Sequence, residues 1–447
     1  MRSLRTRLRS VVQQSERRYR GIVVRRASQR PAVPVDAGAV AHEVSSSRTR
    51  LERLLLENVV PFWCERVIAD TGGYHLNHDR AGRSLEAVPK QLCGQARVLW
   101  FFSRLSRTQW GSPEHVEAAR HGYRFLTDRM WDATWGGFYW EVSPTGDPTK
   151  THKELVAQAY GLFALAEFAR ATGDVEAKAL VADLWCLLER HCHDDRHGGY
   201  IELRRVDWSP ADDLVGYYTR DPLAKALGVQ LHVLEALTTY VDARIGADAG
   251  ADERLLEMIL LLAMSTAGTS ERSGHEQLGS DWSPDGRARR QRYGHDAELV
   301  WMLHDGWRAL ARPMTPLVPL FRERFDEILR RGYDGRNGGF YTEGPAGGYA
   351  DDTAKEYWTQ AEGLLAAFRL YTLTGDVRYG DCYLRTLHWI ETRQADWVGG
   401  DWYERIDKRG RPTGVKASTW KEPYHQGRAL IECIESLDVS RLHTLDG

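Results

Sequence analysis

Apolar residues along this chain come in long runs at helical spacing. The run 155–170 (LVAQAYGLFALAEFAR) consists of good helix formers with apolar residues on more than one face, and 88–105, 223–240, 296–310 and 359–373 read similarly. Apolarity nearly all round predicts helices buried on most sides. A second, more amphipathic run follows each, for example at 175–191 and 377–392. Thr172-Gly173-Asp174 and Thr374-Gly375-Asp376 separate two such pairs, with glycine where a helix C-cap needs it.

Between the helical pairs a short motif of small residues followed by an aromatic recurs. It reads Gly72-Gly73-Tyr74, Gly136-Gly137-Phe138-Tyr139, Gly198-Gly199-Tyr200, Gly338-Gly339-Phe340-Tyr341 and Gly399-Gly400-Asp401-Trp402. Successive copies start 64, 62, 140 and 61 residues apart, and Gly279-Ser280-Asp281-Trp282, inside the long gap, reads as a degenerate copy. Six units with a period of about 60 residues imply a repeat architecture. The expected fold is an all-α (α/α)6 barrel of six helical hairpins, with the Gly-Gly-aromatic segments as short β-hairpins at one end. An open solenoid would need polar capping repeats. The last unit instead ends in an apolar helix over 426–437, which points to closure.

Composition narrows the class. The 447 residues are 42% hydrophobic and 27% charged, as in an ordinary folded protein, and 16 tryptophans supply aromatic faces on which sugar rings can stack, although a large core uses tryptophan too. A net charge of −2 leaves no whole-chain footprint for nucleic acid, and no run of 18 apolar residues offers a membrane span. Residues 1–30 are the exception, with ten arginines against Glu16. The expected division is a basic, disordered tail over 1–46 and one catalytic domain over 47–440. Six cysteines without a C-x-x-C pair read as reduced thiols of a cytoplasmic protein. No nucleic-acid or membrane partner is expected, for a monomer or homodimer.

Four constellations carry candidate chemistry. Arg97 lies inside an otherwise apolar helix and needs anionic or hydroxyl partners, which a structural ion pair could also provide. His232 and Glu235 are three apart and share a helix face, as are His295 and Glu298. His425 follows Pro423, a residue suited to a first helical turn. Three histidines thus fall on three predicted inner helices. A metal site competes for them, since H-x-x-E also occurs in di-iron bundles, but those need further facing glutamates that the sequence does not identify. His191, His193 and His197 occupy a polar turn and read as solvated.

These motifs resemble the N-acylglucosamine 2-epimerase superfamily, chiefly its cellobiose 2-epimerase and mannose isomerase branch. The segments are KQLCGQARVLWFFSRL, LHVLEALTTY, YGHDAELVWML, YWTQAEGLLAAF and TWKEPYHQGRA, spread from about residue 50 to 437. The resemblance implies a metal-free, cofactor-free enzyme that opens the sugar ring and moves the C2 proton of the reducing-end aldose through an enediolate. It casts His295 and His425 as the proton-transferring pair and His232 as a helper at the ring oxygen or O1. Arg97 would hold the enediolate oxygens, and Glu298 would orient or polarise a histidine base. Trp358 and Trp420 would pack on sugar rings, with Glu362 and Tyr293 among the substrate contacts. The chemistry suits the residue types, because a neutral imidazole can abstract an acidic C–H proton near neutral pH.

Two positions depart from the disaccharide pattern. Gly228 stands where the disaccharide epimerases have asparagine, and Leu155-Val156 replaces an aromatic before Gln158. Glucose, mannose, fructose and cellobiose all stay open as substrates. Returning the proton to C1 instead of C2 would make the enzyme an aldose–ketose isomerase with the same residues. An inverting glycoside hydrolase on the same barrel, with two acids roughly 6.5–9.5 Å apart, and a non-catalytic sugar-binding relative are the rivals.

Overall fold

The computed structural model describes residues 36–445 except 212, 219–222, 246–248, 267–275 and 285–289, together with positions 10 and 13. The chain is mostly helical, with small antiparallel sheets. After α1 (Ala37–Ser46) and α2 (Arg48–Arg53), a π-helical segment Leu54–Val59 leads into α3 (Val60–Arg66). Then come α4 (Leu92–Ser106), α5 (Pro113–Phe125), α6 (Leu155–Thr172), α7 (Val175–His191), α8 (Leu227–Ala243) and α9 (Ala249–Thr266). The chain ends with α10 (Tyr293–Ala309), α11 (Val318–Arg331), α12 (Tyr357–Thr374), α13 (Val377–Trp389) and α14 (Tyr424–Leu445).

From α4 onward the even-numbered helices pack side by side in sequence, and α14 packs back onto α4. They are buried because their apolar residues go all round: every residue of α6 from 155 to 169 is buried. Odd-numbered helices bury one stripe, in α7 Ala177, Val181, Leu184, Trp185 and Leu188. The turn between α6 and α7 follows the expected chemistry. Gly173 takes φ 74°, and Asp174 caps α7 by accepting from the N–H groups of Glu176 and Ala177.

Two- and three-residue strands precede the even helices, each paired antiparallel with a strand of the following unit: Lys153–Glu154 with Leu203–Arg204, and Lys355–Glu356 with Arg405–Ile406. The first N–H of the helix then donates across: Leu155 to the carbonyl of Glu202, Tyr357 to that of Glu404. These hairpins therefore lie at the N-terminal ends of the even helices and satisfy donors that a helix start leaves open.

The Gly-Gly-aromatic motif has a specific partner. Gln158 in the first turn of α6 accepts the Phe138 N–H at 2.9 Å and donates to the Phe138 carbonyl at 2.8 Å. Gln95 grips Tyr74, Gln230 grips Tyr200 and Gln360 grips Phe340 in the same way. A buried lysine five residues earlier completes three of these units, Lys153 pairing with Asp132 and Lys355 with Asp334 at 2.9 Å, and Lys225 with Asp194 at 2.7 Å. The second glycine must be glycine: a Cβ at Gly137, where φ is 68°, would lie 2.4 Å from the Trp208 ring.

Three sequence expectations change here. Gly279–Trp282 is not a copy of the Gly-Gly-aromatic turn. Trp282 adopts φ 64° and covers Gly199, just as Trp208, at φ 66°, covers Gly137. The segment thus repeats 205–208, and the stretch between α9 and the strand Gln277–Leu278 includes 267–275, outside the described residues. Residues 37–46, expected in the tail, form α1, which packs on α13 and buries Val40 and Val44. The rest of the basic tail lies outside the described residues apart from positions 10, 13 and 36. His193, expected in a solvated turn, is fixed between Asp195 at 2.9 Å and Glu257 at 3.3 Å. Among the described residues no helix is long and apolar enough to cross a membrane.

Candidate active site

The clamp positions set a register. Two residues beyond Gln95, Gln158, Gln230, Asp296, Gln360 and Gln426 stand Arg97, Tyr160, His232, Glu298, Glu362 and Arg428, one polar residue from each even helix and all buried. His295 and His425 stand one residue before Asp296 and Gln426. Arg97, His232, His295, Glu298, Trp358, Trp420 and His425 line one cavity of about 330 Å3, with Tyr217, Tyr218, Arg292 and Glu404 at its walls. A larger groove of about 900 Å3 between α1 and α13 contains none of the predicted site residues.

Each histidine has a carboxylate on Nδ1. His425 donates to Glu362 Oε1 at 2.7 Å, His295 to Glu276 Oε2 at 2.6 Å, and His232 to Glu235 Oε2 at 3.3 Å. A carboxylate only accepts, so each ring keeps a proton on Nδ1 and turns Nε2 to the proton transfer, as a lone pair in the neutral ring or as N–H in the protonated one. Trp358 lies beside both His295 and His425, ring centroids 5.2 and 5.7 Å away. Only glycine fits at 294, because a Cβ there would be 2.1 Å from the Trp358 ring.

The environments pull the two histidines apart. Burial works against protonation of His295, but Glu276 outweighs it and the pKa ends above the ordinary value. Burial, with the charges of Arg97 and Arg428, holds His425 well below it. His232 is lowered to about 4 by burial, despite Glu235. One imidazole therefore favours the acid form and its counterpart the base form, which is how a pair of titratable groups divides acid and base work. Glu298 is pushed up to about 8 by burial and by Glu362. Both its carboxyl oxygens are buried without a hydrogen-bond partner, on the cavity wall. The second H-x-x-E spacing thus does not make a pair: Glu298 lies 3.7 Å from His425 Nδ1, and His295 takes Glu276 instead.

Arg97 donates from Nη1 to Glu422 at 2.6 Å and from Nη2 to the Tyr160 hydroxyl, while its Nε has no partner. Glu362, expected to touch substrate, is enclosed instead. It accepts from His425, from Trp301 Nε1 at 2.7 Å and from Arg428 Nη2 at 2.6 Å. Tyr293, also expected at the substrate, is buried outside the cavity against Gly332, and its hydroxyl donates to the Arg331 carbonyl at 3.4 Å. Glu298, Glu362 and His425 bring one donor atom each within 4.8 Å of one another, the spacing a cation would need. The fixed positive charge of Arg428 on Glu362 disfavours a cation there.

Sequence reasoning gave no role to Tyr160, Glu276, Glu422 or Arg428. For Tyr160 and Arg428 the signal was present, since both fall at the same helical position as Arg97 and His232, two residues beyond a buried glutamine. For Glu276 no spacing announces it, because a hairpin from the preceding unit carries it to His295.

The model of one family, N-acylglucosamine 2-epimerase, matches residues 72–429. The chain belongs to this family. Among its members, a cellobiose 2-epimerase of Bacteroides fragilis is 28% identical over 87% of this chain and 98% of its own length. A D-mannose isomerase of Marinomonas mediterranea is 23% identical over 89% of this chain and 100% of its own. The solved structure of the cellobiose 2-epimerase from Spirochaeta thermophila superposes with a TM-score of 0.79 at 30% identity, covering 90% of this chain and 98% of that one.

Proposed function

We propose that this enzyme, an isomerase, moves the C2 proton of a reducing-end hexose between His425 and His295. In the open-chain aldose, His425 Nε2 takes the proton from C2 and the electron pair passes through C1 to O1, giving an enediolate. Arg97, fixed by Glu422 and Tyr160, offers its charge to the enediolate oxygens. His295, kept protonated by Glu276, returns a proton. Delivered to C2 from the opposite face, with O1 reverting to the aldehyde carbonyl, it yields the C2-epimer; delivered to C1, with the O2 proton passing to O1, it yields the ketose. His232 serves ring opening at the ring oxygen or O1. Glu298, carrying its proton near neutral pH, donates to a sugar oxygen, while Trp358 packs on the reacting ring.

One observation carries this reading: a single cavity holds two histidines whose carboxylate-fixed environments push their pKa values in opposite directions. A hydrolase would instead need two acids at the bond to be cleaved, and Glu362 is occupied by His425, Trp301 and Arg428.

We read the ring of even helices as an (α/α)6 barrel and 47–440 as one catalytic domain. The contact of α14 with α4 supports the closed barrel. The six unpaired thiols support a reducing, cytoplasmic setting.

The test is proton NMR of the enzyme with mannose, glucose, fructose and cellobiose in D2O containing EDTA. Deuterium at C2 of an inverted aldose, or a ketose product, is expected. Glucose released from cellobiose without exchange would hand the site to hydrolysis, and loss of exchange on adding EDTA would make a metal part of the chemistry.

A further inference from the structure

The cavity has two indoles with different surroundings. Trp358 flanks both His295 and His425, so the reacting ring belongs beside it. Trp420 is the platform left for anything attached to that ring, and it is already taken. Tyr217 stacks on it with centroids 5.1 Å apart and planes inclined by 26°, and Tyr218 meets it edge-on at 5.9 Å. Both tyrosines line the cavity.

Tyr217 is half-exposed, yet held from three sides. Its backbone N–H donates to Glu154 Oε1 at 3.0 Å, its ring rests against Trp140 at 5.6 Å, and Tyr218 packs edge-on against it at 5.0 Å. Gln277 Nε2 fastens the Tyr218 carbonyl at 3.0 Å. A sugar and an aromatic ring compete for the same face of an indole, because each stacks flat on it. The cavity, at about 330 Å3, also lies near the low end of the roughly 300–1,000 Å3 usual for ligand pockets.

We propose that Tyr217 fills the place a second sugar ring would take on Trp420, and so restricts the enzyme to a single free hexose. A linked disaccharide would have to pull Tyr217 away from both Trp420 and Trp140. The selection rests on the isomerase reading, so its test includes a readout that needs no turnover.

Two quantities are measured for wild type, Tyr217→Ala and Tyr217→Phe: the ratio of kcat/KM for cellobiose to that for mannose, and binding of each sugar by tryptophan fluorescence. Wild type should favour mannose. Tyr217→Ala should raise the cellobiose-to-mannose ratio roughly 2- to 10-fold, the scale of one aromatic stacking contact. Tyr217→Phe keeps the stack and should keep the wild-type ratio. Wild-type turnover of cellobiose as efficient as that of mannose would overturn the proposal. So would a ratio that Tyr217→Ala leaves unchanged or lowers, the latter marking Tyr217 as a platform for the second ring. Mannose binding without turnover, with cellobiose admitted only by Tyr217→Ala, would sustain the selection and sink the isomerase reading. Binding of neither sugar would overturn both.

Discussion

Arg428 and Glu362 form a buried ion pair, Nη2 to Oε1 at 2.6 Å, and the same carboxylate oxygen takes the Nδ1 proton of His425. The second arm of the guanidinium donates to Glu235, which holds His232. One arginine thus sets the orientation of two histidines without lining the cavity. Arg428→Lys keeps the charge but cannot span both carboxylates. Losing a charge-assisted hydrogen bond is worth about 1.5–3 kcal/mol, so kcat should fall roughly 10- to 100-fold. Arg428 also helps keep His425 deprotonated. A lysine that no longer reaches Glu362 should let the His425 pKa rise and move the acid limb of the kcat/KM profile to higher pH. Unchanged kcat and an unchanged acid limb would reduce Arg428 to a purely structural role.

His425 and His295 act on opposite faces of the same carbon, so removing either should stop net conversion while leaving different traces. His425→Asn should abolish loss of the C2 proton from an aldose that His425 deprotonates. His295→Asn should permit that loss but block delivery on the far face. Turnover in each case should drop by about 10²–10⁴, the usual worth of a positioned general acid or base. Proton NMR in D2O separates the two, because His295→Asn should still exchange deuterium into the unconverted aldose. Equal deuterium exchange into the unconverted aldose by both variants would refute the division of labour.

How far this site could be foreseen depends on whether its contacts are local in the chain. His232–Glu235 was legible because three residues along a helix is a contact distance. His295–Glu298 has the same spacing and was read the same way, but helix geometry only permits such a pair. Glu276, 19 residues away, competes for His295 and takes it. The helix-hairpin repeat was legible because its glycines and aromatics are forced by backbone geometry and burial. The Gly279 copy was misplaced because Gly-x-x-Trp also suits the next turn, where Trp282 covers Gly199. Glu362 was placed at the substrate by the family resemblance alone, which does not show Arg428, 66 residues on, occupying its carboxylate.

Glu276 makes a pH prediction with a definite sign. His295 is buried, which lowers its pKa, and Glu276 raises it by more. In the direction where His295 must deliver a proton, activity needs its protonated form and declines as pH rises through its pKa. Glu276→Gln leaves burial opposed only by Glu298, so the pKa should drop and the alkaline limb of kcat/KM should move acidward by about one pH unit or more, the usual effect of a close opposite charge. A pH–rate series on the two proteins with the same sugar decides it. An alkaline limb that stays put would assign that limb to another group, with Glu298, raised to about 8, as the next candidate.

The clamp glutamines predict a stability cost that repeats along the chain. Gln360 answers both the N–H and the carbonyl of Phe340, at 2.7 and 2.8 Å, and is fully buried. Gln158 does the same for Phe138, about 200 residues earlier. In Gln360→Ala two buried backbone groups lose their partners, each worth about 1–3 kcal/mol when left unsatisfied, so unfolding should become easier by about 2–6 kcal/mol. Gln158→Ala should cost a similar amount. The two sites share no partner, so the double variant should lose close to the sum. Urea unfolding followed by circular dichroism measures all three. A loss below about 0.5 kcal/mol in Gln360→Ala would mean that water replaces the side chain and that the clamp contributes geometry without stability.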